Sequence, residues 1–515
     1  MSVWTPLLPA AMVGTERAPA WSAALPGPIG AVLRELEAAA PDAATRLLQS
    51  AAVLATCSRA GAQGVLRTSP KPAAAASDRW PPLPAGALQL HLAWALREGP
   101  ARLQHEALCH LAEAGWRLPT TLLPLALDLG RRATPLRSSV IAALGERGLW
   151  LARQNPEWRY AAGASAAADD EDRWAHGSIE QRRELLAQER GRDPQAARER
   201  LAAELPGLAA RERADLIGTL AHRLGPDDEP LLTGLLGDRS REVRQLAVGL
   251  LVRLPDSAFV RRAGERLAAL LRQEQSPLRR RWQIEAPAAA SPDWDQDAID
   301  ATRPKQESLG ERGWWLYQLA SRVPLAWWSG HTGLSPAELV AWGLKSDWSE
   351  ALLRAWRDVL LQTAELEAIE ALLAGWPRKG PSLDAAALLA LLPLERRERH
   401  WQQQLSQGAN AWRTLLPQLL DACPSGVHLS PAFSEALAGV IRSVLADPSI
   451  VYDYTLRPVL PELCCLLHPS TLSLLAALPQ SGNETPAHAE ALHTASRIVE
   501  ARRVFHSPTS APTAP

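Results

Sequence analysis

Helix-start signals punctuate this chain at short intervals, and that punctuation limits the fold more than any other feature. Ser335-Pro336-Ala337-Glu338 supplies a capping hydroxyl, a proline at the first helical position and a glutamate that can reach back to the cap. Asp347-Trp348-Ser349-Glu350 and Ser178-Ile179-Glu180-Gln181 repeat the capping box without proline, while Asp193-Pro194 and Ser430-Pro431 pair a cap with proline. Such spacing implies helices of roughly 10–18 residues joined by short turns, hence antiparallel helical hairpins stacked on one another. Ala, Leu, Arg, Glu and Gln fill the intervals, and runs of Val, Ile, Thr and Tyr that favour strands are missing. The expected class is all-α.

The clearest hairpin runs from Pro226 to Phe259. A first helix over Asp228 to Leu236 and a turn at Gly237 to Ser240 precede a second helix. That helix carries Val243, Leu246, Ala247, Leu250, Leu251 and Leu254 on one face at helical period. The segment resembles one HEAT repeat, including Asp238 in the turn and the Val243-Arg244 pair opening the second helix. The resemblance implies that this aspartate and arginine tie neighbouring repeats together. A single repeat cannot bury its own face, so Arg198 to Leu224 and Phe259 to Leu271 are read as its neighbours. Leu122 to Leu144 has the same rhythm upstream. The expected architecture is an α-solenoid-like array of antiparallel hairpins with HEAT-like repeats.

Three stretches read as linkers: 68–86, rich in Pro and Ala; 161–177, with the acidic run Asp169 to Asp172; and 286–304, rich in Pro, Ala and Asp. They divide the chain into an N-terminal helical segment (1–66), a hairpin block (87–160), a HEAT-like region (178–284) and a Trp-rich C-terminal domain (305–503). The tail 504–515 is expected to be disordered.

Charge narrows the function. Lys and Arg number 55 against 56 Asp and Glu, so the basic excess of a dedicated nucleic-acid binder is absent, although a local patch is still open. The Arg and Ala bias itself reads mainly as that of a GC-rich genome. Five cysteines, scattered and without a C-x-x-C pair, fit reduced thiols. No apolar run approaches membrane-spanning length and Met1 to Ala10 lacks the features of a signal peptide, so a soluble, cytoplasmic protein is expected.

Chemistry was sought and not found. His105-Glu106-Ala107-Leu108-Cys109-His110 imitates a zinc helix, but its histidines stand at i and i+5 and not at i and i+4. Phosphate-binding glycine loops and a G-x-S-x-G elbow are absent. Asp293, Asp295 and Asp297 lack the glycine and closing glutamate of a calcium loop. No catalytic, cofactor-binding or metal-binding residue is expected, and no enzyme. The strongest basic cluster is Arg279-Arg280-Arg281-Trp282, with Arg261, Arg262, Arg266 and Arg272 upstream. It reads either as solvated arginines balanced by Glu265, Glu274 and Glu285 or as a nucleic-acid face.

Two oddities remain. The 20 tryptophans outnumber the 3 Phe and 4 Tyr together, and they serve either as core filler or as protein-binding anchors. Leu144 to Leu151 (LGERGLWL) and Leu309 to Leu316 (LGERGWWL) match at seven of eight positions, as a repeated packing solution or a duplicated functional element.

Several short motifs together resemble a bacterial family of helical proteins without an assigned activity. They are Gly14-Thr15-Glu16-Arg17, Arg147-Gly148 with Trp150-Leu151-Ala152, Asn155 with Trp158, Trp315-Leu316-Tyr317-Gln318, Val323-Pro324 with Trp328, and Ser346-Asp347-Trp348. The family's genes tend to lie beside those of MoxR-type AAA ATPases, von Willebrand A-domain proteins and SWIM zinc-finger proteins. The resemblance therefore implies a scaffold or adaptor, with an AAA ATPase or von Willebrand A-domain protein as partner. Arg147, Trp150, Trp158, Arg312, Trp315 and Trp328 are the candidate partner-binding residues. Arg279, Arg280, Arg281 and Trp282 are the candidates if the ligand is a nucleic acid.

Overall fold

The computed structural model describes residues 4, 7–16, 27–60, 73–162, 170–275, 280–377, 385–408, 410–447, 449–450, 453–478 and 485–507. Arg279, linker residues 68–72 and 163–169, and the tail beyond 507 lie outside them. The chain forms two compact units, 1–74 and 75–515. In the first, Gly27–Ala39 packs against Ala43–Ala60, and Leu33 and Leu54 close a small core with Leu7 and Ala10.

The second unit is predominantly helical, and successive short helices pack on one another. The punctuation explains where they begin. Ser178 and Ser335 each accept from the N–H three residues on, with Gln181 and Glu338 reaching back. Asp193 and Ser430 cap the helices Pro194–Glu204 and Pro431–Ala446. The box read at Asp347 does not form. Ser346 takes the Trp348 N–H instead, and helix Ser349–Thr363 starts without a side-chain cap.

The hairpin at 226–259 is present as Glu229–Leu235 and Arg241–Leu251, with Val243, Ala247, Leu250 and Leu251 buried. Asp238 reaches back to Arg213 on the preceding helix Ala210–Ile217 at 2.9 Å, and Arg244 donates to the Asp238 carbonyl.

The exclusion of strands was wrong at one place. Leu271–Gln275 (β1) and Arg280–Ile284 (β2) form an antiparallel hairpin with Leu271 opposite Ile284 and Glu274 opposite Arg281. Its Gln, Glu and Arg content reads as helical, but tertiary contacts override propensity. The Trp282 indole donates to the Thr332 carbonyl, Trp342 donates to the Trp282 carbonyl, and Leu271 and Ile284 are buried.

Two linkers are also fastened structure where described. Asp78 ion-pairs with Arg117 and accepts the Glu146 N–H, while Arg117 holds the Trp80 carbonyl. In 286–304, Trp294, Asp297 and Ile299 are buried, and Arg322 donates to the Asp297 and Ala298 carbonyls. Burial pulls the Arg322 guanidinium down to about 10. The tail likewise begins later than read, because the last helix runs to buried Phe505 and His506 is held by Glu106.

The internal echo is a repeated helix start. In Arg137–Gln154 the helix breaks at Gly145 (φ +66°) and restarts under Asp78. A side chain there would be strained, and its Cβ would lie 2.5 Å from the Asp78 carboxylate. Gly310 caps Glu311–Ala320 in the extended conformation, so the two copies share sequence and position but not backbone angle.

Buried arginines fasten the array. Arg190, fully enclosed, donates to the Leu220, His222 and Arg223 carbonyls and to both oxygens of Asp228. Burial opposes ionisation of Asp228, but the hydrogen bonds from Arg190, the Gly225 N–H and Arg198, together with the Arg190 charge, outweigh it and hold the carboxyl below its usual range. Asp228→Ala leaves that guanidinium without its counter-ion and should cost about 3–5 kcal/mol of stability, read from denaturant unfolding of the full chain.

Candidate functional site

The helix Leu325–Thr332 carries the half-buried Trp327 and the exposed His331 on one side and the buried Trp328 on the other. Its first N–H groups, on Leu325 and Ala326, are taken by the Glu365 carboxylate, and Gly333 (φ +72°) ends it. Trp328 points into the core, fully buried, edge-on to Trp327 and Trp356. Trp327 and His331 share the neighbouring face at i and i+4, with rings 5.0 Å apart and nearly parallel at 9°. Trp282 of the hairpin tilts against His331 at 5.5 Å.

This aromatic edge borders an open cleft of about 500 Å³, whose other wall is the helix Ala258–Ala268 with Arg261, Gly264 and Glu265. Gly264 is required there: a Cβ would meet the Trp327 indole nitrogen at 2.4 Å. Arg261, Glu265 and His331 are exposed, and Trp327 is half-buried.

The candidate residues separate by exposure. Arg147 is exposed, and Trp150 and Trp158 are half-buried. Trp158 donates to Asp128, which lowers that carboxyl together with the Arg131 contact. Arg312 is committed to the Pro287 and Ala286 carbonyls and stacks over Trp348. Trp315 is buried with its indole on the Ala301 carbonyl, and Trp328 is fully buried; neither presents a surface to a partner. No tryptophan among the described residues is exposed, because Trp–Trp contacts such as 328–342–356 fill the spaces between short helices.

The basic cluster is likewise dispersed. Arg262 and Arg266 face inward to Asp297, with Arg266 also on Asp293, so the acidic DWDQD stretch is their counter-charge. Arg281 and Trp282 leave opposite faces of β2, and Glu274 stands opposite Arg281. Arg280 contributes only its backbone pairing with Gln275 to this description.

A second constellation was missed. Glu106, buried on helix Ala101–Glu113, is gripped by Arg502 Nε at 2.7 and 2.9 Å and by His506 Nε2 at 2.7 Å, and His428 Nε2 lies 3.4 Å away. Burial alone would raise this carboxyl; hydrogen bonds from His428 and His506 and the Arg502 charge reverse that and hold it far below the usual range. His110 lies 5.3 Å from the His506 ring, and His105 packs on Gly426. The partners come from 322 to 400 positions away in sequence, counting from Glu106 to His428 and His506, so no local spacing could reveal them. Among the described residues no group of three or more His, Cys, Asp and Glu is arranged to hold a metal ion. None of the described helices is long and apolar enough to cross a membrane.

These features define a predominantly helical protein of closely packed short helices, with buried ionic ties and open clefts. The chain belongs to DUF5691, a family of unknown function, whose model matches residues 6–509. No curated protein and no solved structure matches it.

Burial separates adjacent tryptophans energetically. Trp328→Ala should cost about 3–5 kcal/mol by opening a cavity. Trp327→Ala, at the cleft edge, should cost clearly less in the same thermal-melting series.

Proposed function

We propose that this protein is a non-enzymatic interaction scaffold or adaptor that works with a MoxR-type AAA ATPase and a von Willebrand A-domain partner. The hairpins of the second unit are read here as HEAT-like repeats in an α-solenoid-like array. The observation that carries the reading is the Trp327–His331–Trp282 edge. It is a contiguous aromatic surface beside an open cleft, with Arg261 and Glu265 exposed at its margin. Aromatic edges with flanking charge are the usual anchors of protein partners. The family resemblance suggests these partners, and the aromatic edge beside the cleft supports this place for them.

The nucleic-acid reading rests on exposed Arg261, Arg272 and Arg281 near Trp282. It loses weight because Arg262 and Arg266 are spent on carboxylates and fewer cations remain for phosphate.

The purified chain mixed with a MoxR-type AAA ATPase and a von Willebrand A-domain protein from the same organism should co-elute with one of them. His331→Ala combined with Arg261→Glu should weaken that capture at least tenfold without lowering the melting temperature, since both side chains are exposed. Full capture by the double variant would remove the cleft from the interface. Salt-sensitive DNA binding with no protein capture would replace the adaptor by the nucleic-acid reading.

A further inference from the structure

We propose that the histidine-lined seam around Glu106 is a pH-sensitive clasp, which holds the last helix of the second unit against its first helices near neutral pH and loosens on mild acidification. The geometry is specific. Helix Pro486–Phe505 packs against both Ala87–Glu98 and Ala101–Glu113, so the end of the unit returns to its beginning. Five of the chain's twelve histidines, His105, His110, His428, His468 and His506, gather along this contact.

The charges facing the seam come from every element that packs there. Helix Ala101–Glu113 brings Glu106, Glu113 and Cys109 with its two histidines, and Arg102, which pairs with Glu462 of helix Leu456–Leu466. That second helix also brings Cys464 and Cys465, whose thiols burial pushes up and keeps uncharged, Cys464 to about 12. The loop before Pro431 brings His428, and the segment after the helix brings His468. The last helix brings Arg502, with His506 just beyond it, and Arg497, which pairs with Glu98 of helix Ala87–Glu98.

At neutral pH the ledger of charge is even at the centre: one buried carboxylate, Glu106, faces one buried guanidinium, Arg502. Further protons have little to pair with. Burial lowers His105, His110 and His468 below the ordinary histidine value. Neighbours add to this: His428 at His105, where the Glu106 charge opposes the shift, His506 at His110, and His428, Arg502 and His506 at His468. Glu106 and Glu113 oppose the shift at His110 without reversing it. His110 Nε2 is buried and has no hydrogen-bond partner, so a proton placed there would be neither solvated nor paired.

The sign follows. A histidine whose folded value is lowered binds fewer protons in the closed seam than in the open one, so closing is favoured above about 6.5 and weakens as pH falls below it. Glu106, lowered from 4.5, contributes above its open-state value and is lost only in stronger acid. The histidines therefore set the first response, between about pH 7 and 5, and the carboxylate a later one.

Hydrogen exchange of the full chain at pH 7.5 and 5.5, corrected for intrinsic rates, tests the clasp. Exchange in 101–113 and 486–505 should rise several-fold at pH 5.5 while the helix pair 229–251 stays protected. The variant His105→Leu with His110→Leu removes two of the resisting groups and keeps the Glu106–Arg502 pair. It should exchange like the parent at pH 7.5 and lose most of the acid response. Uniform exchange across the chain at both pH values would overturn the proposal. So would an acid response at the seam that the double variant retains in full. Trp94 gives an independent readout, because its ring lies under Arg497 of the last helix at 4.3 Å. The difference in emission between the parent and Trp94→Phe isolates that ring among the 20 tryptophans; it should shift at pH 5.5, and an unchanged difference would also count against opening.

Discussion

An array of short helices has many ends, and each C-terminal end leaves carbonyl groups without intrahelical partners. The second unit depends on how those carbonyls are met away from water, and its answer is the arginine fork. Arg190 gathers the Leu220, His222 and Arg223 carbonyls of the turn after Ala210–Ile217, Arg397 takes Leu392 and Ala422, Arg137 takes Gly130, and Arg102 takes Leu420. A guanidinium carries five donors in a rigid plane, so one side chain can serve several helix ends and a carboxylate together. The abundance of arginine, which in the sequence reads as a base-composition bias, has a structural use here. Asp228 is the internal counter-ion of the Arg190 fork, as Asp297 is of Arg262 and Glu106 of Arg502.

Much of this was legible one element at a time. The caps at Ser178, Asp193, Ser335 and Ser430 are local hydrogen-bond chemistry, and local chemistry is written in neighbouring residues. The apolar face Val243–Leu251 was equally direct. The hairpin at 271–284 was not, because its strands are stabilised by indole hydrogen bonds to a helix some 50 positions later. Linkers were misread for the same reason: Asp78 and Asp297 are ordered by partners that composition does not show.

The candidate site was legible in type but not in place. The sequence offered tryptophan and arginine without their exposure: Trp315 and Trp328 are buried, and Arg312 is tied to the Ala286 and Pro287 carbonyls. What distinguishes Trp327 from Trp328 is one step around a helix, a distinction that periodicity could make only if the direction of the core were known. Glu106 lay inside a segment examined for zinc and set aside on its histidine spacing. Its actual partners are supplied by tertiary structure.

The contact between Glu106 and Arg502 spans 396 positions of chain. Polypeptides are made from the amino end, so for most of synthesis helix Ala101–Glu113 has no last helix to lie against, and its buried carboxylate has no guanidinium. The middle hairpins can settle as they emerge, because their contacts are local. The seam cannot. It closes only once Pro486–Phe505 has been made, so the faces of Ala87–Glu98 and Ala101–Glu113 that this helix covers stay open through most of synthesis.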